Sequence, residues 1–353
     1  MTETKPSLLQ SLVGDPAVAE HLSDAADLAA MLRFEGALAE AEADAGLIEA
    51  DAAQAIIAAI AGFTPDWADL ARGMARDGVV IPALVRQLRN AVGEPHGVQV
   101  HKGATSQDAI DTALILRLAQ IIPIYEERLV ALQAALAALS ARDGALSLMA
   151  HTRMQQALKF TVAAKIRTWT EPLERLLAAL TASRRQLLVI QLGGPIGDRS
   201  SFGDKGDAVA RYLAERLDLG LAEPWHASRD PLVGFASLLS LITGALGKFG
   251  ADVALLAQNE VGAIRLAGGG TSSAMAHKSN PVNAEVLVSL ARYNAGLVGT
   301  LHQALVHENE RSGAAWTLEW LALPQILQTT GASLRLANDL VGQIGFEDQS
   351  RTG

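Results

Sequence analysis

Apolar residues recurring at a period near 3.6 run through most of this chain, and β-branched alternating stretches are short and few, so the pattern specifies an all-α protein. The longest stretch runs from Thr105 to about Arg142, interrupted only by Pro123, and Thr105-x-x-Asp108 has capping-box spacing at its start. A helix of that length extends roughly 50 Å at 1.5 Å per residue. Similar helices are expected from about Met154 to Leu192, from Gly234 to Ala267 and from Pro281 to about Asn309. Rods this long exceed what a compact single-layer domain can cover, which points to a long bundle. Their faces are Ala-rich and aromatic-poor, with Phe, Trp and Tyr together at 4%. Such faces allow close approach over extended contacts, and burying them calls for further subunits, so a homo-oligomer is expected.

The chain before this region is more broken, with turn signals at Gly14-Asp15-Pro16, Gly62-Phe63-Thr64-Pro65 and Gly93-Glu94-Pro95-His96-Gly97. Within it, Ser23-Asp24 opens a helix whose stripe of Leu28, Met31, Leu32, Glu35, Leu38 and Ala39 ends at Gly46. The expected division is a smaller N-terminal helical domain over residues 1–103 and a long central bundle over 104–353. Gln191 to Gly203, with Gly193-Gly194-Pro195 inside it, cannot be regular helix.

Composition narrows the function. With 353 residues, 50% hydrophobic and 19% charged, the chain can bury a large core. No apolar run reaches the roughly 18 residues of a membrane span, and Met1 to Pro6 lacks the features of a secretory signal; a cytoplasmic protein is expected. The absence of cysteine excludes disulfides, thiolate nucleophiles and common structural zinc sites. A net charge of -9 argues against nucleic acid, while an anionic small substrate would need a local basic pocket.

Candidate chemistry gathers on Gly268-Gly269-Gly270-Thr271-Ser272-Ser273-Ala274-Met275-Ala276-His277-Lys278-Ser279-Asn280-Pro281, a polar loop between two long helical stretches. Its glycines let backbone approach a ligand closely. It lacks the Gly-Lys-Thr ending of a phosphate loop and follows no strand, so nucleotide binding is disfavoured. Ser272 and Ser273 can equally bond a turn, and Asn280-Pro281 is also expected at a helix start, Asn as cap and Pro as first helical residue. Thr105 and Ser106 can bind a carboxylate at a helix N-terminus or serve only as the cap. His302 and His307 are five apart, share a helical face poorly, and are not taken as a metal site.

Three of these segments carry a family resemblance. Thr271 to Pro281 resembles the fumarase/aspartase superfamily signature Gly-Ser-Ser-x-Met-Pro-x-Lys-x-Asn-Pro, departing from it at Thr271 and Ala276. His101-Lys102-Gly103-Ala104-Thr105-Ser106-Gln107-Asp108 resembles that superfamily's His-x-Gly-x-Thr-Ser-x-Asp segment. Thr152-Arg153-Met154-Gln155 resembles its Thr-His-Leu-Gln segment, with Arg153 where many lyases carry a catalytic histidine. His307 to Trp320, together with Leu12-Val13-Gly14-Asp15-Pro16, resembles the branch of bacterial 3-carboxy-cis,cis-muconate cycloisomerases. The resemblance covers essentially the whole chain, and against the superfamily's full length it implies a chain with the C-terminal helical domain largely absent.

The resemblance implies a long-helix bundle of the fumarase/aspartase type, a homotetramer with sites shared between subunits, and an intramolecular addition of a carboxylate to a conjugated double bond, in protocatechuate catabolism by the β-ketoadipate pathway. It implies Ser272 as proton donor to carbon, assisted by Lys278, with His101 as a further catalytic residue. Thr105, Ser106, Arg153, Gln155, Ser273, Asn280, Arg311 and Trp316 would bind a small tricarboxylate, Arg153 and Arg311 as guanidinium clamps. No cofactor is called for and no metal. Trp316 and Trp320 either wall the pocket or pack in the core. Two alternatives stay open: an adenylosuccinate-lyase-like β-elimination enzyme, which would prefer His at position 153, and a non-catalytic helical structural homologue.

Overall fold

The computed structural model describes residues 7–271, 275 and 279–350. Six helices form the N-terminal part: α1 (Leu8–Val13), α2 (Pro16–His21), α3 (Asp24–Asp44), α4 (Ala50–Ala61), α5 (Trp67–Asp77) and α6 (Ile81–Val92). The central rods are α7 (Ser106–Asp143), α8 (Val162–Leu187), α10 (Asp230–Leu256), α11 (Val282–Gln303) and α12 (Gly313–Val341), while α9 (Gly206–Leu217) packs back on α3. Three short antiparallel pairs complete the chain: β1 (Ser147–Thr152) with β2 (Gln155–Thr161), β3 (Ile264–Leu266) with β6 (Ile344–Phe346), and β4 (Gly270–Thr271) with β5 (Ser279–Asn280). Among the described residues the protein is all-α apart from these.

Local signals account for the helix starts. The Ser23 hydroxyl caps α3 by accepting from the Ala26 N–H, and the apolar stripe behind it is buried at Leu28, Met31, Leu38 and Ala39. Asp15 caps α2 ahead of Pro16, and Arg128 of α7 ion-pairs with it while donating to the Gly331 carbonyl of α12 at 3.0 Å. The N-terminal strap is thereby fixed to two central rods at once. Pro123 lies inside α7, which runs through it. Ile121, Ile122 and Tyr125 around it are fully buried, and that burial offsets the missing backbone hydrogen bond.

The core falls into two clusters. One fills the bundle along α7, α8, α10, α11 and α12; the other lies between α3, α4, α6, α9 and the first turns of α7. By length and composition α10 could cross a membrane, but its Leu232, Phe235, Leu239, Ile242 and Leu246 are buried among the other rods.

Several expected boundaries need correction. Met154 to Leu192 is not one helix: residues up to Thr161 form the β1–β2 hairpin, and α8 starts at Val162. The hairpin turns on Arg153 and Met154, both left-handed at φ 49 and 65, where a two-residue turn normally uses Asn-Gly. The stretch from Gly234 stops being helical after Leu256, because the chain there turns to pair Ile264–Leu266 with β6. α11 ends at Gln303 rather than Asn309. Asn280 does not cap a helix; its backbone pairs with Gly270 in β5, and Pro281 occupies the cap position.

Candidate active site in two halves

The first half is built on the N-terminus of α7. Asp108, fully buried, accepts from the Thr105 N–H at 2.9 Å and so closes the helix end. The same carboxylate accepts from the N–H groups of Gly193 and Gly194 at 2.8 and 2.9 Å, and it meets His226 Nε2 at 2.8 Å. One side chain therefore holds the irregular 191–203 segment against the helix terminus. Gly103, at φ 71, brings backbone against Phe202, whose ring atoms lie 2.7 Å from where a Cβ would sit. Only glycine fits there.

Thr105 and Ser106 are half-buried at this helix start, with first-turn amides available to an anion. Arg311 reaches across from the segment before α12 and donates to the Pro195 carbonyl at 2.9 Å. His101, also left-handed at φ 61, places Nδ1 2.6 Å from Glu35 Oε1 of α3. Burial disfavours its imidazolium, but the charge and hydrogen bond of Glu35 outweigh that, with Asp108 adding to them, and hold His101 above the ordinary histidine value.

Behind this surface lies a buried ionic cluster. Arg229 donates to Asp111 at 2.6 and 3.1 Å and to Glu319 at 2.5 and 2.9 Å, and its guanidinium stacks 4.6 Å from the Trp225 ring centroid. Burial alone would lower its pKa, yet Asp111 and Glu319 raise it, so the cation is permanent. Trp316 is buried here, with its indole N–H on Asp111 at 3.1 Å and its ring 4.5 Å from that of Trp320. It supports the half-site from behind. Trp320 instead lines an apolar cavity of about 760 Å³ between α3, α5, α7 and α12, which Asp111 and Glu319 also border.

The second half is at the other end of the bundle. Arg153 and Gln155 are exposed at the hairpin tip, where the Gln155 amide donates to the Met154 carbonyl at 3.1 Å. The Met149 N–H donates to Gln349 at 2.9 Å, Phe346 donates its N–H to Asp143, and Arg142 donates to the Ile344 carbonyl at 2.7 Å. These contacts seat the hairpin and the β3–β6 pair beside the C-terminus of α7. The ends of the signature loop, Gly270 and Asn280, border the last turn of α12 at Leu340. Ser272, Ser273 and Lys278 lie outside the described residues. His101, Thr105 and Ser106 belong to the N-terminal end of α7, with Arg311 bonded to the Gly194–Pro195 backbone that Asp108 holds there, whereas Arg153, Gln155 and Asn280 belong to segments that follow the C-terminal end of α7 or border the last turn of α12.

His302 and His307 point to different partners, Ser237 at 3.3 Å and Glu319 at 3.4 Å. No group of three or more His, Asp or Glu able to hold a metal gathers among the described residues.

A family profile described as Lyase matches residues 14–295. The chain belongs to this lyase family. It is 40% identical over 336 residues to a 3-carboxy-cis,cis-muconate cycloisomerase of Pseudomonas aeruginosa, covering 93% of this chain and 73% of that protein. A crystal structure of 3-carboxy-cis,cis-muconate lactonizing enzyme from Pseudomonas putida superposes with a TM-score of 0.91 at 38% identity, covering 97% of this chain and 78% of that one. Trans-aconitate decarboxylase 1 of Mycosarcoma maydis is 30% identical, covering 94% of this chain and 68% of that protein.

For this lyase-family chain, the residues that sequence reasoning passed over are those acting behind the motifs: Glu35, Asp111, His226, Arg229 and Glu319. One signal was present. Glu35 sits on the apolar stripe of α3, and Asp108 and Asp111 repeat at i, i+3 on the inner face of α7, where an unpaired carboxylate would be costly.

Proposed function

We propose that the protein is a 3-carboxy-cis,cis-muconate cycloisomerase. The observation that carries this reading is 40% identity over 93% of the chain to a protein of that name. One carboxylate oxygen of the muconate adds across the conjugated double bond and closes a lactone, 4-carboxymuconolactone, leaving a carbanion stabilised as an aci-carboxylate that then takes a proton. Tethering nucleophile to electrophile supplies an entropic advantage of several kcal/mol once the diene is folded for attack. The remaining task is to hold three carboxylates and a transient dianion among donors and cations.

In this assignment Ser272 delivers the proton to carbon, with Lys278 and loop amides stabilising its oxyanion. His101, Thr105, Ser106 and Arg311 bind at the α7 terminus; Arg153 and Gln155 come from the hairpin, and Ser273 and Asn280 from the signature loop. Trp316 contributes through Asp111. Arg153 offers a fork for a carboxylate in place of a lyase's acid, which suits a cyclisation that releases no amine or water. Because the two halves stand at opposite ends of α7, the active species is a homo-oligomer, a tetramer by family resemblance, in which different protomers supply the segments. A cytoplasmic catabolic enzyme and a division near residue 103 belong to the same reading.

The test is to incubate purified protein with 3-carboxy-cis,cis-muconate and, separately, with adenylosuccinate, following ultraviolet absorbance. Loss of the diene with formation of the lactone is expected. Turnover of adenylosuccinate alone would replace this reading with an elimination lyase, and turnover of neither would favour the structural homologue.

A further inference from the structure

We propose that Glu35 is the positioning residue for His101, turning Nε2 into the ring nitrogen that meets a substrate carboxylate. The inference deepens the proposed function and rests on it for the identity of the anion.

The geometry begins with an apparent fault in α3. Glu35 lies on the stripe that Met31, Phe34 and Leu38 bury, and its side chain has no exposure. A carboxylate there is costly unless something repays its lost hydration. That partner comes from 66 residues away: His101 Nδ1 at 2.6 Å, on an imidazole only 11% exposed. The left-handed backbone at His101, φ 61, is an uncommon conformation for a residue with a side chain, and the contact with Glu35 helps hold it. With Nδ1 committed, Nε2 is the one nitrogen left to bond a ligand, and the ring orientation is fixed by its partner.

The surrounding charges agree with this assignment. Glu42 also points inward from α3, its oxygens without a hydrogen-bond partner among the described residues, and burial with the nearby Glu35 pushes it up to about 9. It is therefore neutral near pH 7. Asp108 on α7 adds to the pull on the His101 proton, while Arg89 on α6 opposes it. Lys102 turns its ammonium to the Leu47 carbonyl and Gln99, at 3.1 and 3.0 Å. These charges favour the protonated form of His101, on the segment that leads into Thr105, Ser106 and the α7 amides, a donor set suited to an anion.

The experiment combines imidazole-labelled histidine NMR with kinetics on the intact protein, comparing wild type with Glu35→Gln and using His101→Gln to assign the signal. Glu35→Gln is expected to lower the His101 titration midpoint and move the alkaline limb of kcat/KM to lower pH by the same amount. KM should rise about tenfold with a smaller change in kcat, as for loss of one charge-assisted contact in binding. Should Glu35→Gln not fold, Glu35→Asp, which keeps the charge on a shorter arm, is judged by the same signal and should show a smaller shift. An unchanged titration overturns the pairing, and a shifted titration without a shifted alkaline limb overturns its role in the site. If wild type leaves the muconate untouched, the proposed function fails, while the NMR arm still decides whether Glu35 governs His101.

Discussion

Ser106 begins α7, and Arg153 stands at the turn of the hairpin that follows the helix's far end. α7 runs 38 residues from Ser106 to Asp143, about 57 Å at the α-helical rise, and Arg153 lies on the hairpin beyond it. No rotamer or loop movement closes such a gap. On the proposed function, a ligand held by both residues draws them from different copies of the chain, one copy's α7 terminus meeting another's hairpin.

The buried cation at Arg229 should dominate local stability. Arg229→Met removes the buried guanidinium that Asp111 and Glu319 share, and a loss of about 3–5 kcal/mol is expected. Urea denaturation followed by circular dichroism measures it. A loss below about 1 kcal/mol would mean that the cluster relaxes freely, as exposed ion pairs do.

Asp108 should couple fold to site. Asp108→Asn keeps the shape but replaces one acceptor oxygen with a donor, so it cannot accept from Thr105, Gly193 and Gly194 as the carboxylate does. A destabilisation of about 1–3 kcal/mol is expected, together with faster amide exchange at Gly193 and Gly194. Wild-type protection at these two amides in the variant would contradict the clamp.

Glu42 should give stability a pH dependence. Its folded pKa is raised to about 9 from 4.5, so between those values the folded state binds a proton that the unfolded chain releases. Stability then falls as pH rises, by up to ~1.4 kcal/mol per unit for this one group. His101, also raised, contributes stability present below its unfolded value and lost as pH climbs through its folded one, in the same direction. Glu42→Gln should remove the first part only, matching wild type near pH 5 and exceeding it near pH 8. Parallel stability curves for the two proteins would refute the assignment.

Ser272→Ala should fold and assemble as wild type does while kcat drops by about 10²-fold or more, the usual contribution of a positioned proton donor. Full activity in a folded variant would remove Ser272 from the proton transfer.

How far the sequence could be read depended on whether a signal was local. The α3 stripe and its Ser23 cap, the Thr105–Asp108 box and the length of α7 follow from spacing within a few turns, and all are found in place. The hairpin escaped because Arg153-Met154 does what Asn-Gly usually does, so the apolar period of α8 seemed to continue backwards through it. Asn280-Pro281 has the chemistry of a helix start, but pairing with Gly270 claimed the Asn backbone first. Glu35 with His101, and Arg229 with Asp111 and Glu319, join residues 66 to 118 positions apart; only their unexpected charge on apolar faces hinted at a partner.

The composite site can be tested by mixing. Arg153→Ala and His101→Gln are each expected to be nearly inactive on 3-carboxy-cis,cis-muconate. Dissociated together and reassembled in equal amounts, they should recover about a quarter of wild-type activity, the random-mixing fraction when two intact segments must come from different protomers. Recovery confined to the sum of the two residual activities, in oligomers shown to have exchanged subunits, would contradict a site shared between chains.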